Sequence, residues 1–297
     1  MSAVMVKITN LNKELNKSSL LNEVNMEIKK GSIYGLIGRN GAGKTTLMRV
    51  ISGLSKYDSG DISINNNEKV SIGTLIERPA FFEDLDIYKN LEYQRVFRGI
   101  PGTSSIDEKL KLVGLENIRG KAIKDYSLGM KQKLGIAIAL LGEPEFLVLD
   151  EPINGLDPVG IITVRNLLKK LNKEEGITIL VSSHILSELN RLCDTFGIIK
   201  DGKIVSELTF NELKNNSRLA LEIEVNDTEK SSFILENSLE INDYKVLNNN
   251  LIRIYEKIDE PSVIAKALIK EDIDINRLNT LTEPLEEYVT SIMEDKV

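Results

Sequence analysis

The sequence predicts an α/β fold, a mainly parallel sheet flanked by helices, followed by a small α+β domain. Three observations carry that prediction. Short apolar runs that end in polar residues alternate with helical spacings from about Ile33 to Lys200. One of these runs, Ile33–Ile37, leads directly into Gly38-Arg39-Asn40-Gly41-Ala42-Gly43-Lys44-Thr45, and a helical stretch, Thr45–Ser52, follows. Charge then shifts along the chain. From Asn216 onward there are 18 acidic and 9 basic residues, a net of −9 against −7 for the whole chain, which leaves the first 215 residues at +2. That shift places a boundary near residues 211–218, with Lys214-Asn215-Asn216-Ser217 as a linker and domains of 1–212 and 218–297.

The 297 residues exceed the usual size of a single core, in keeping with one large and one small domain. Apolar content of 41% and charged content of 28% are those of a soluble globular protein. No apolar run approaches the ~20 residues of a membrane-spanning helix. Met1–Asn10 lacks the charged-then-apolar pattern of a secretory leader. The one cysteine, Cys193, excludes an intrachain disulfide and fits a reducing cytosol. A net charge of −7 argues against nucleic acid as a partner.

Taken in order, Val4, Val6 and Ile8, then Val24, Met26 and Ile28, alternate as half-buried strands do, and Gly60–Ile64 repeats the pattern. These read as antiparallel strands flanking the glycine loop. Val70–Ile76 is a further strand, ending at Glu77 before a turn at Arg78-Pro79. Spacing becomes helical from Asp86 to Leu141. Asp86 is an N-cap, Ile87, Leu91, Tyr93 and Phe97 are expected to form one buried face, and a second helix spans Asp107–Val113. Ser127, in Tyr126-Ser127-Leu128-Gly129-Met130-Lys131-Gln132, opens an apolar helix that runs through Leu141. Phe146–Leu149 is a short buried strand ending in Asp150 and Glu151, and Pro158–Leu171 is a helix with proline in its first turn. Strand Ile177–Val181 ends in Ser182-Ser183-His184, and a helix to Cys193 follows. Strands Phe196–Ile199 and Lys203–Glu207 flank the turn Asp201-Gly202. Beyond the linker, the order β-α-β-β-α-β is ferredoxin-like, and its acidic residues read as a solvated face.

Gly38–Thr45 fits the pattern G-x-x-x-x-G-K-[ST], which wraps phosphates with backbone N–H groups. Glycines let those groups turn inward, the following helix N-terminus adds its dipole, and Lys44 adds a point charge. The Thr45 hydroxyl is a ligand for Mg²⁺, and Asp150 is the second anchor, since two carboxylates closing an apolar strand are costly without a cation. Glu151 is then free to polarise a water for attack on the γ-phosphate. His184 is the sole histidine; such a residue is more often structural, but its place one strand from Asp150-Glu151 favours a γ-phosphate contact. In parallel sheets ligands gather beyond the strand C-termini, and Lys44, Glu77, Asp150, Glu151 and His184 all lie there.

The set GRNGAGKTT, YSLGMKQKLGIA, FLVLDEP, NGLDP and SSH, in this order and spacing, resembles the nucleotide-binding subunit of an ABC transporter over about residues 4–210. The resemblance implies an ABC-type P-loop ATPase domain with an antiparallel β subdomain and a helical subdomain at about residues 86–141. It makes Ser127-Leu128-Gly129-Met130-Lys131 the signature loop that closes on ATP held by a partner subunit. It puts Asp157 on the loop between two sites and Thr46 as the second hydroxyl of the phosphate loop. It further implies Mg²⁺, ATP as substrate, two subunits sandwiching two ATPs, a separate membrane permease and a peripheral place on the cytoplasmic face of the membrane. The family usually has glutamine where this chain has Glu77, contacting Mg²⁺ and the membrane subunit. Leu128 and Met130 replace the commoner Gly and Gln. These departures, and a C-terminal extension bearing Leu285-Glu286-Glu287-Tyr288-Val289, are similar to the bacitracin and lantibiotic export branch. The expected function is therefore export of a peptide antibiotic, giving resistance or immunity. The rivals are a soluble ABC-type ATPase acting on nucleic acid or ribosomes, and a regulatory subunit that binds nucleotide without hydrolysis. The first lacks the coiled-coil insertion, second nucleotide domain or basic patch it needs, and Glu151 and His184 argue against the second.

No aromatic stands near Leu15, where the family stacks a ring on adenine. A lost stacking ring removes a contact that recognises the base rather than the phosphates. GTP hydrolysis is therefore expected beside ATP hydrolysis, measured as phosphate release; a GTPase rate below about a hundredth of the ATPase rate would contradict this.

Overall fold

A computed structural model describes residues 3–16, 18–77, 81–118, 120–215, 219–282 and 285–293. Two compact units emerge, residues 1–210 with 292–297, and residues 211–291. In chain order the first unit holds β1 (Val4–Leu15), β2 (Ser18–Lys29), β3 (Ile33–Ile37), α1 (Lys44–Ile51), β4 (Ser59–Ile64) and β5 (Ile72–Leu75). Then come α2 (Ile87–Phe97), α3 (Ser104–Leu112), α4 (Leu128–Ala139), β6 (Phe146–Leu149), α5 (Pro158–Glu175), β7 (Thr178–Ser183), α6 (Leu186–Leu189), β8 (Thr195–Lys200) and β9 (Lys203–Thr209). Helix α7 (Phe210–Asn215) follows, taking up the start of the predicted linker; its continuation, Asn216-Ser217, lies outside the described residues.

Six strands form one sheet in the order β5-β6-β7-β3-β8-β9, parallel except for the last pair. Strands β3, β6 and β7 are buried along their whole length, which explains the apolar runs of β3 and β6 and the Ile179–Val181 centre of β7. A second, antiparallel sheet has the order β2-β1-β4. Helix α1 is packed with both sheets: Leu47, Met48, Val50 and Ile51 share one core cluster with Val6 and Ile28 of the small sheet and Leu36, Val148 and Leu180 of the large one. Each such side chain contributes about 1.5–3 kcal/mol on burial, so the helix that carries Lys44 and Thr45 is held from two directions.

Strands β1 and β2 are longer than alternation alone predicts. The register of β1 on β2 shifts between Ile8 and Leu11, and Asn10 has φ 48°, so Ile8 and Leu11 are both buried although three residues apart. The two-residue period therefore breaks where the sequence reading stopped. Helix α5 starts at Pro158 as expected, with Asp157 as the N-cap the sequence reading did not name, but runs on to Glu175, where Gly176 closes it at φ 69°. Helix α6 is a single turn, shorter than the helix expected to Cys193.

The second unit comprises β10 (Leu219–Val225), α8 (Thr228–Leu239), β11 (Tyr244–Asn248), β12 (Leu251–Ile254), α9 (Pro261–Lys270) and β13 (Ile275–Thr282), followed by α10 (Leu285–Met293). Its sheet order is β11-β12-β10-β13, antiparallel throughout, the arrangement of a split βαβ sandwich. Leu221, Ile223 and Val225 of β10 join Ile234, Leu235, Ile264 and Leu268 in its core. On the intervening positions Glu222 pairs with Arg253 at 2.9 Å and with Arg277 at 2.8 Å. The acidic residues are thus partly tied up in ion pairs rather than all solvated.

In the first unit, Tyr34 is fully buried and its hydroxyl donates to Glu207 Oε1 at 2.6 Å, while the Glu27 N–H reaches the same oxygen at 3.3 Å. Gly197 faces the Tyr34 ring on the neighbouring strand, where any Cβ would collide with it. Burial raises the Glu207 carboxyl above its ordinary value, outweighing the hydrogen bonds that lower it. A raised folded-state value means stability is fully present below the unfolded carboxyl range and declines as pH rises through the folded one. Glu207→Gln should therefore flatten the loss of stability as pH rises above the ordinary carboxylate range, read as urea midpoints by circular dichroism. Parallel curves for the two proteins would contradict this.

Candidate functional site

The strand order brings the ends of β3, β7 and β6 side by side. The loop after β3 wraps into α1, whose N-cap is Gly43 at φ 108°, with no side chain capping the first N–H groups. Those donors stay available to an anion, at the positive end of the helix. Gly38 and Gly43 are needed for close approach. A Cβ on Gly38 would lie 2.6 Å from the Ile199 carbonyl oxygen, and one on Gly43 would lie 3.0 Å from that of Leu20. The hairpin turn Asp201-Gly202 braces the loop from outside, the Gly202 N–H donating to the Ala42 carbonyl at 3.0 Å.

Lys44 is buried and its ammonium folds back onto the Gly38 carbonyl at 2.7 Å. Thr45 Oγ1 donates to Asp150 Oδ2 at 2.7 Å. Ser182, fully buried at the end of β7, donates to Asp150 Oδ1 at 2.5 Å and accepts the Glu151 N–H at 2.9 Å. Both oxygens of Asp150 therefore have hydroxyl donors, which is what a nearly buried carboxylate requires. Glu151, in left-handed backbone at φ 49°, stands between two groups: its Oε1 is 3.6 Å from Lys44 Nζ and its Oε2 is 2.8 Å from His184 Nδ1. His184 is half-exposed, so the imidazole faces open space on its other side.

Lys44, Thr45, Asp150 and Glu151 line a cleft of about 490 Å³ whose wall also includes Ser19, Leu20, Asn40 and Asp201. A larger cleft of about 830 Å³ lies beside the starts of β3, β6 and β7, the opposite end of the sheet. Lysines on its wall are matched by glutamates, Lys109 with Glu108 at 2.7 Å and Lys30 with Glu145 at 3.5 Å, and no glycine loop opens into it. The chemistry therefore places the site in the smaller cleft.

Among the described residues no group of three or more His, Cys, Asp or Glu side chains converges to hold a metal. The Thr45 hydroxyl and Asp150 carboxylate form an all-oxygen pair, the donor type that suits Mg²⁺, which keeps waters and phosphate oxygens as its remaining ligands. Glu77, the third candidate, does not join this pair; it is held by Arg49 at 2.6 Å.

The structure thus gathers Lys44, Thr45, Asp150, Glu151 and His184 with the loop Gly38–Thr46. The other expected site residues lie apart in the single chain. Ser127 is the N-cap of α4, accepting the Met130 N–H at 3.3 Å, and Lys131 is 4.0 Å from Glu83. Leu128 is half-exposed and lies against Gly155, where a Cβ would come within 2.8 Å of its Cδ2. Leu156 in turn lies near Gly129, and Asp157 accepts the Gly160 N–H at 2.9 Å. The expected signature loop is thus the cap and first turn of α4, and this turn is in contact with the loop before Asp157 within one chain. Leu15 ends β1 opposite Ser18, more than half exposed, next in register to the cleft-lining Ser19. Ser182 and the Asp201-Gly202 brace had no place among the expected site residues. Their signal was there: a hydroxyl one strand from Asp150, and a tight turn after the strand beside β3.

The ABC transporter family model matches residues 21–154. The chain is 40% identical over 299 residues to the bacitracin transport ATP-binding protein BcrA of Bacillus licheniformis, covering 98% of both. It is 44% identical over 220 residues to the lantibiotic transport ATP-binding protein SrtF of Streptococcus pyogenes, covering 72% of this chain and 95% of that one. The solved dimeric structure of a post-hydrolysis state of the ATP-binding cassette MJ0796, bound to ADP and Pi, aligns with a TM-score of 0.62 at 26% identity, over 69% of this chain and 99% of that one.

Proposed function

This chain belongs to the ABC transporter ATP-binding proteins, and on that premise we propose that it powers export of a bacitracin- or lantibiotic-like peptide through a separate membrane permease, giving resistance or immunity. It is an ATPase, and cassettes of its family work as dimers with permease partners. No helix among the described residues is long and apolar enough to cross a membrane. In this reading the pore lies in the partner, and the chain sits on the cytoplasmic face of the membrane by docking to it. A likeness to a bacitracin transport protein that extends through both units supports the substrate class.

The observation that carries the mechanism is the position of Glu151 between Lys44 and His184. Lys44 now rests on a loop carbonyl, a weak partner that phosphate oxygens displace. The free N–H groups of α1 and the loop take the remaining phosphate charge. Mg²⁺, when held at Thr45 and Asp150, supplies charge neutralisation on the phosphates. Ser182 holds Asp150 in place and, through the Glu151 N–H, fixes where the next carboxylate starts. Glu151 accepts a proton from the attacking water, and His184 orients it and faces the γ-phosphate. Ser127 to Lys131 cover ATP held by a second copy of the chain, making a homodimer with two shared sites, and Asp157 lies on the loop that links them.

Docking falls to the surface beside Glu77. Its following turn, residues 78–80, lies outside the described residues. Beyond it Phe82 and Tyr93 form an exposed aromatic pair with ring centroids 5.2 Å apart. Buried Asn90 fixes this segment, accepting the Phe82 N–H at 2.9 Å and donating to the Phe82 and Asp86 carbonyls. Val96 and the almost fully exposed Phe97 extend the apolar face, so of the face expected to be buried only Ile87 and Leu91 are, and Tyr93 and Phe97 point outward. A face of this composition suits a protein interface more than water.

Glu151→Gln tests the reading. The rate of ATP hydrolysis should fall about 100-fold or more, while ATP binding persists and an ATP-dependent dimer appears on gel filtration. An unchanged rate would remove Glu151 from the role of base.

A further inference from the structure

His184 sits between two anchors of unequal strength. Before it, Ser182 and Ser183 are fully buried at the end of β7, and the Ser183 hydroxyl accepts the Ile185 N–H at 3.0 Å. After it comes α6, a single turn from Leu186 to Leu189 with no side-chain cap. A helix that short has little stability of its own. Its bonds are long, the Glu188 and Leu189 N–H groups meeting the Ile185 carbonyl at 3.3 and 3.4 Å. Leu186 and Leu189 are buried, but apolar burial is non-directional and does not fix how the turn is rotated. Glu188 supplies the directional contact. Its Oε2 lies 2.7 Å from Arg165 Nη1, with the two side chains only 16% and 14% exposed. Arg165 stands on α5 beside buried Val164, and Leu167, Leu168 and Leu171 bury the same helix further along, so its guanidinium projects from a fixed base. A second cation, Arg191, is 3.8 Å from Glu188 Oε1 but 65% exposed.

We propose that Arg165 is a positioning residue for hydrolysis: through Glu188 it holds α6, and so keeps the His184 imidazole on Glu151. The proposal rests on the reading of Glu151 and His184 as the hydrolytic pair. Removing one partner of a mostly buried ion pair leaves an uncompensated charge. Without Arg165 the Glu188 carboxylate turns toward Arg191 and water, and α6 turns with it. His184, four residues before Glu188, then loses its 2.8 Å contact with Glu151 Oε2.

The test uses the sole histidine of the chain: the full-length protein with carbon-13-labelled histidine and no histidine tag gives one ring Cε1–H signal by NMR. Glu151→Gln supplies the position of that signal once the carboxylate is gone. At one pH and without nucleotide, Arg165→Met should move the signal at least halfway to that position, and Arg165→Lys should move it less. Arg191→Gln should leave it in place. In steady-state ATP hydrolysis, Arg165→Met should lower kcat about 10- to 100-fold, the cost of a displaced catalytic group. KM for ATP should change less than about twofold, since the phosphate loop is untouched. Glu188→Ala should match Arg165→Met, and the double variant should fall no further, because both act through one contact. An unmoved His184 signal, a KM effect as large as the kcat effect, or additive losses in the double variant overturns the proposal. If Arg165→Met does not fold, Glu188→Ala carries the same prediction, and an unmoved signal there overturns it equally. A displaced signal with an unchanged rate would instead overturn the reading of His184 as part of the hydrolytic pair.

Discussion

The nearly buried Asp150 carboxylate, held by Ser182 on one oxygen and Thr45 on the other, is the contact on which the rest of the site depends. It joins β6, β7 and α1, three elements distant in sequence. A carboxylate in so dry a place is stable only with donors on both oxygens, so it constrains all three elements at once. Parallel strands make this possible, because their ends lie together and the chain leaves each in the same direction. Helix α1, packed with both sheets, supplies the fixed base from which Thr45 reaches Asp150. Glu151 inherits its position from the same network, since its N–H is bound to Ser182.

The arrangement is complete on one side only. Backbone N–H donors, Lys44, a carboxylate and its histidine converge, whereas nothing in the cleft wall comes from Ser127–Lys131. That loop caps its own helix and touches the loop before Asp157. In the proposed dimer, a site built this way would bind a triphosphate in one chain and gain its second wall from another. In that dimer the contact of Leu128 with Gly155 would link the wall a chain lends to the loop before Asp157.

Much of this was legible in the sequence because the chemistry is local. Gly38–Thr45 is contiguous, and Asp150-Glu151 and His184 each close an apolar strand, so strand ends could be read as one neighbourhood. What escaped depends on contacts between distant segments. Ser182 looked like any residue at a strand end until β7 was seen beside β6. The Asp201-Gly202 turn became a brace only through the pairing of β8 with β3. Glu77 was expected at the cation through the family resemblance, whereas its pairing with Arg49 joins segments that lie apart in the sequence. Asn10 hid the length of β1, because its bulge breaks the two-residue period on which strand reading depends.

The central claim, that one chain carries half of a shared catalytic site, is tested most directly by a crystal structure of the Glu151→Gln chain with ATP and Mg²⁺. The account predicts two copies with ATP between them, the phosphates in the Gly38–Thr46 loop and the γ-phosphate facing the partner subunit's Ser127 and the partner subunit's Gly129. ATP bound in a lone chain, with Ser127 still serving only as the cap of α4 and no second copy over the phosphates, would contradict it.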